Sequence, residues 1–178
     1  MKKITKPNYT EHAMYYEQYI QLVDDNKSVL DQLKTNSKWL ETALLNFTEE
    51  QLCTPYAPEK WSLKDLLVHI IDCERVFVYR AMRFARNDKT PMPFFDENEF
   101  AKEAQANQIP IKKLLKEYKT TRQASIAFFN NLPAKFMKRA GIASSFTMSV
   151  RACAWIIVGH EAHHVAVMKE RYFPLFEK

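Results

Sequence analysis

Ser62-Leu63-Lys64-Asp65-Leu66-Leu67-Val68-His69-Ile70-Ile71-Asp72-Cys73-Glu74-Arg75-Val76-Phe77 places apolar side chains at Leu66, Leu67, Ile70, Cys73, Val76 and Phe77, steps of three and four that draw one stripe along a helix. Ser62 offers an N-cap oxygen, and Asp65, three residues on, is placed to assist the first turn as a capping-box acid would. A helix is therefore predicted from Leu63 to Arg86, with Arg75, Arg83 and Arg86 off the stripe. Upstream, Thr54-Pro55-Tyr56-Ala57-Pro58-Glu59-Lys60 carries two prolines that fix φ and remove backbone donors, and it reads as a loop.

Outward from that helix the same period recurs. Leu30, Leu33, Leu40 and Leu44, with Trp39 beside them, predict a first long helix over Lys27 to Asn46. Leu114, Leu115, Tyr118, Ile126 and Phe129 predict a third over Ile111 to Asn131, stopped by Pro133. A fourth is expected from Thr147 to Arg171, apolar over most of its circumference between Val150 and Val158, which implies burial on more than one side, either deep in one bundle or against a second copy in a homodimer. Residues 87–98 contain Pro91 and Pro93 and lack a sustained period, so a long crossing loop is expected there, able to lie over a site. Before the first helix, Tyr15 to Val23 suits a short helix that packs Tyr16, Tyr19, Ile20 and Val23 on the bundle until Asp24-Asp25-Asn26 interrupts it. The fold class expected is all-α, a four-helix bundle in a single domain over residues 1–178.

Composition narrows the function. The chain has 2 glycines, Gly141 and Gly159, too few for a turn-rich β fold or a Gly-rich phosphate loop. Its net charge of +5 is scattered among acids rather than gathered in a block, so no nucleic-acid partner is expected. No apolar run of membrane-spanning length occurs, and the polar N-terminus lacks a signal-peptide core, so no membrane partner and a cytoplasmic location are expected. Cys53, Cys73 and Cys153, odd in number and widely spaced, fit reduced thiols there.

Three of the 5 histidines crowd into Gly159-His160-Glu161-Ala162-His163-His164. Residues four apart share a helix face, so His160 and His164 can converge on one ion, with imidazole nitrogens about 2.0–2.1 Å from it. His69 is the other histidine inside a strongly patterned helix, on its inward stripe, where an imidazole needs something to satisfy its nitrogens. His163 points about 100° away from His164 and is expected to support the site or face the substrate instead. Cys73, four residues after His69, is a further candidate ligand ranked behind water. Asp72 and Glu161 are the acids nearest the ligands. Asp72 can orient an imidazole or a water and is the candidate proton shuttle, the bland alternative being an i,i+3 pair with Arg75. Arg80, three turns past His69, can meet an anionic substrate, although a plain surface arginine is the simpler reading.

The Trp61-Ser62 opening of the second helix followed by His69 and Asp72, together with the HxxHH pattern His160-Glu161-Ala162-His163-His164 and the trailing Lys169-Glu170-Arg171-Tyr172, resembles the DinB/YfiT-like superfamily of small bacterial four-helix-bundle metalloproteins. The likeness spans Leu30 to Tyr172. It implies an up-down-down-up bundle over residues 27–172, with residues 1–26 as an N-terminal extension outside the common core. It places the family's metal triad on His69, His160 and His164. The implied activity is a metal-dependent hydrolase in which one divalent ion, zinc or nickel first and manganese or iron next, activates water for a small-molecule substrate. The alternatives are S-transfer from a low-molecular-weight thiol to a small electrophile, and a non-catalytic metal-binding module.

Overall fold

The structure, a computed structural model, describes residues 3–176. Four helices carry it: α1 (Val29–Leu44), α2 (Leu63–Ala85), α3 (Ile111–Asn131) and α4 (Val150–Val167). Each of α1 and α2 packs on both α3 and α4, so that α1 and α2 stand at diagonal corners, as do α3 and α4. The predicted limits of α3 and the start of α2 coincide with those observed. At α2 the Asp65 amide donates to Ser62 Oγ (3.1 Å) while Asp65 Oδ2 accepts from the Ser62 amide (2.9 Å), and the two bonds satisfy backbone donors the first turn would otherwise leave open. α3 stops at Leu132, held extended by the proline that follows it.

The apolar core is divided along the bundle axis. One cluster gathers Leu30, Leu33, Phe77, Phe84, Phe129 and Ile156, and the other Leu40, Leu44, Leu67, Ile70, Leu114 and Tyr172. Between them all four helices bring buried polar residues to one level: Ser37, His69 and Glu74, Arg122 and Ser125, and His160, Glu161 and His164. Arg122 of α3 ties this layer together. It donates from Nη1 to the Leu33 carbonyl of α1 (2.8 Å) and to Glu161 Oε2 of α4 (2.9 Å), and from Nε to both carboxylate oxygens of Glu74 on α2 (3.1 and 3.0 Å). Tyr118 donates to the other oxygen of Glu161.

Two expectations are corrected. The crossing segment is not irregular to residue 98, because Asp96 caps a short helix, Glu97–Ala104, with its side chain accepting from the amides of Asn98 and Glu99. That helix is mostly solvated and too short for its period to stand out beside the prolines. α4 begins at Val150 rather than Thr147, because Ala140–Ala143 (β1) and Phe146–Ser149 (β2) form an antiparallel hairpin. Ser144 and Ser145 at its turn have φ of 51° and 69°, a conformation usually signalled by Gly or Asn, so the turn is silent in the sequence. Ser149 ends β2 and caps α4, accepting from the Ala152 amide (3.1 Å). Met92 clips the crossing loop to β1, donating to the Ile142 carbonyl and accepting from the Ser144 amide, both at 3.0 Å. At its far end α4 passes into a π-helical turn over Met168–Tyr172.

Val150 to Val158 are buried by packing within the chain itself. No helix among the described residues is long and apolar enough to cross a membrane.

Candidate metal centre

His69 comes from α2, and His160 and His164 from successive turns of α4, the helix most closely packed on α2. Their Nε2 atoms converge: His69 to His160 is 3.0 Å and His164 to His160 is 3.1 Å. Nitrogens each about 2.0–2.1 Å from one ion and about 90–110° apart would be separated by about 2.9–3.4 Å. The donor set therefore fits one divalent transition-metal ion. Chemistry agrees with distance. His160 Nε2 faces two nitrogens, whereas a single ring N–H can be shared with one of them, and a cation among three lone pairs satisfies all. Burial holds all three rings uncharged at neutral pH. It is the largest influence on each, pushing His69 down to about 4 and His164 to about 3, with His160 well below its usual value and the neighbouring imidazoles adding to the effect. Among the described residues this trio is the set of three or more His, Cys, Asp or Glu donors able to meet around an ion.

Neighbouring aromatics fix the rings. Trp61, just ahead of the α2 cap, lies with its ring centroid 4.7 Å from that of His69, and Tyr19 meets His160 edge-on at 5.3 Å. Tyr19 arrives from the N-terminal segment, which reaches α4 because Gly159 has no side chain. A Cβ there would come within 1.9 Å of the Tyr19 carbonyl oxygen. The segment expected to extend the bundle is thus a wall of the centre.

The three imidazoles open into a cavity of about 420 Å³ whose other walls include Tyr15, Tyr16, Phe77, Phe94, Phe95 and Arg80. Cys73 also lines it, with Sγ 3.6 Å from His69 Nε2, and burial pushes its thiol up to about 12. His163, half-buried, meets the outer side of Tyr19 with ring centroids 5.5 Å apart. The two acids lie elsewhere. Asp72 sits outside the cavity lining and accepts from Arg75 Nη1 (3.3 Å); burial raises its carboxyl, and Arg75 partly offsets this. Glu161 is fully buried with its oxygens on Tyr118 and Arg122. Arg80 is not a surface arginine: it is 2% exposed and lines the cavity. Its position on the stripe His69-Cys73-Phe77-Arg80 was the available signal. Arg122 was missed, although a charge four residues past Tyr118 falls on the inward face of α3. His12 is held by its own neighbours, with Nδ1 3.1 Å from the Ala13 carbonyl and Nε2 3.3 Å from Glu17.

Comparison with known proteins agrees with this architecture. A protein from Oceanobacillus iheyensis named "Putative metal-dependent hydrolase" is 26% identical over 153 residues, covering 83% of this chain and 85% of the relative. A second of the same name, from Geobacillus thermodenitrificans, is 32% identical over 76 residues, 43% of each chain. Among solved structures, YfiT from Bacillus subtilis, itself a four-helix bundle of unusual topology, superposes with a TM-score of 0.72 at 18% identity, covering 97% of this chain and 94% of that one. A mycothiol-dependent maleylpyruvate isomerase superposes with a TM-score of 0.62 at 12% identity, covering 94% of this chain and 62% of that one. The family model of the DinB superfamily matches residues 32–168, from α1 to the end of α4, and the chain belongs to that superfamily.

Proposed function

We propose that this chain is a metal-dependent hydrolase in which His69, His160 and His164 hold one divalent ion, zinc or nickel in the first instance, at the inner end of the cavity. The observation that carries this reading is the convergence of three buried, uncharged imidazole nitrogens on a space open to a small molecule. An ion held by these three residues would supply a Lewis acid that lowers the pKa of water or polarises a substrate oxygen or sulfur. The remaining work falls to the chain. Trp61 and Tyr19 hold two of the rings in place, and Phe77, Phe94 and Phe95 give the substrate an apolar wall. The name shared by the two relatives supports the hydrolytic reading.

One observation favours a second reading, in which a low-molecular-weight thiol replaces water as the attacking group. No carboxylate among the described residues stands beside the imidazoles ready to take a proton from water. Asp72 is held by Arg75, Glu161 by Tyr118 and Arg122, and Glu97 lines the cavity from its exposed rim. A thiol, with an ordinary pKa of about 8.5, gives up its proton with less help. A turnover screen of the metal-loaded protein against small esters, amides and electrophiles, with water alone and with each common cellular thiol, tests both. Product with water alone supports the hydrolase, and product only with a thiol supports the transferase. Metal-loaded protein that turns over nothing contradicts both.

A further inference from the structure

Among the described residues, Arg80 is the buried guanidinium that has no acid. Arg122 is paired with Glu74 and Glu161, and Arg151 with Glu11, whereas no carboxylate of the described residues forms an ion pair with Arg80. Its side chain is nevertheless fixed. Nη2 donates to the Pro93 carbonyl (3.2 Å) and to Ser144 Oγ (3.0 Å), and the guanidinium carbon lies 5.5 Å from the ring centre of Phe77 and 5.9 Å from that of Phe95. Nη1 is buried and has no hydrogen-bond partner, while the Tyr16 hydroxyl also lies beside the guanidinium, whose charge and hydrogen bonding work against the rise that burial imposes on that phenol. An arginine stays charged in a protein, and one held this firmly with an amino group unused is prepared for an anion from outside.

The cavity supplies the route. His69, Cys73, Phe77 and Arg80 all line it and follow one face of α2. Eleven residues of helix separate the Cα atoms of His69 and Arg80 by about 16 Å, and although both side chains lean toward the helix N-terminus the arginine is the longer, which leaves the guanidinium roughly 10–15 Å from the imidazoles. The wall between is mainly aromatic. Glu97 is the acid on this lining, and it is exposed, where water and salt screen its charge far more than that of the buried guanidinium.

We propose that Arg80 receives the carboxylate of an elongated, mainly apolar small-molecule substrate whose reacting end lies at the three imidazoles. The assignment deepens the metal-dependent reading given above and rests on it for the reacting end alone.

The test is calorimetric titration of metal-loaded protein with two probes of equal length, 6-mercaptohexanoate and 6-mercaptohexan-1-ol, repeated on metal-free protein. The expected result is that wild type binds the carboxylate probe about 10–100-fold more tightly than the alcohol, the range for a charge-assisted hydrogen bond. Arg80→Met should bring that ratio to about one while keeping affinity for the alcohol. Arg80→Gln, whose amide can still donate to the Pro93 carbonyl, should do the same if Arg80→Met misfolds. A ratio near one in wild type, a ratio unchanged in folded Arg80 variants, or no detectable binding of either probe overturns the proposal. Failure of the metal reading looks different: both probes then bind equally well with and without metal, and the ratio between them survives.

Discussion

His163 and Cys73 border the three converging imidazoles without joining them, and the reasons differ. His163 is turned about 100° from His164 around α4, and its ring rests on Tyr19. Cys73 does face the cavity, but burial in apolar surroundings opposes its ionisation, and its sulfur lies 3.6 Å from His69 Nε2. His163→Ala and Cys73→Ser should therefore each retain at least half of the wild-type metal content by elemental analysis. Loss of the metal in Cys73→Ser would make the thiolate a fourth ligand. Of the site, the three imidazoles were readable because helical spacing alone brings His160 and His164 together and sets His69 on an inward stripe. The partner of each carboxylate was not readable. Asp72 fitted either role by spacing, and only the packing of α2 against α3 shows its neighbour Arg75 also reaching Glu117 (2.7 Å).

At the scale of elements, the N-terminal segment, built of short helical turns, closes one side of the centre. Two features dock it. Gly159 admits its backbone against α4, and Arg151 of α4 binds Glu11 through Nε (2.7 Å) and Nη2. Gly159→Ala should cost about 1–3 kcal/mol by overpacking and lower the thermal midpoint by several degrees. A thermal midpoint unchanged within a degree would show that the segment can step aside freely. The Glu11 pair carries a pH signature. Burial works to raise its carboxyl, but hydrogen bonds from Arg151, Ser149 and the Asn8 backbone outweigh this and hold it at about 2, against an ordinary value of 4.5. A carboxyl depressed on folding adds stability that is complete above its unfolded pKa and is lost as pH falls from there through the folded one. Wild type should lose this contribution between pH 4.5 and about 2, and Glu11→Gln should be less stable at pH 7 with a shallower loss over that interval, as denaturant titration at each pH would measure. An identical pH dependence in the two proteins would contradict the assignment. The long helices were legible from their period, and so was the short helix Glu17–Ile20 from its apolar residues, but the others were not. Glu97–Ala104 is mostly exposed, and the β1–β2 hairpin turns on two serines where a glycine would have announced it.

Across the whole molecule, a buried polar layer divides two apolar clusters and holds the imidazoles at the same level as Arg122, the residue through which all four helices are joined. Arg122→Ala would leave Glu74 and Glu161 buried without their cation, and should cost about 3–5 kcal/mol in urea denaturation. A loss below about 1 kcal/mol would mean that water replaces the guanidinium. Because Glu161 adjoins His160 on α4, this layer also braces the ligand helix, which links the stability of the bundle to the precision of the centre. The proposed centre requires side chains from α2 and α4 to hold one cation together. It is tested most directly by the metal content of purified protein, compared among wild type, His69→Ala, His160→Ala and His164→Ala after equal exposure to zinc and gel filtration. Wild type should carry about one ion per chain and each variant less than about a tenth of that, since losing a direct ligand weakens affinity more than the roughly 10–100-fold typical of removing a supporting partner. Equal metal content in wild type and His160→Ala would contradict it.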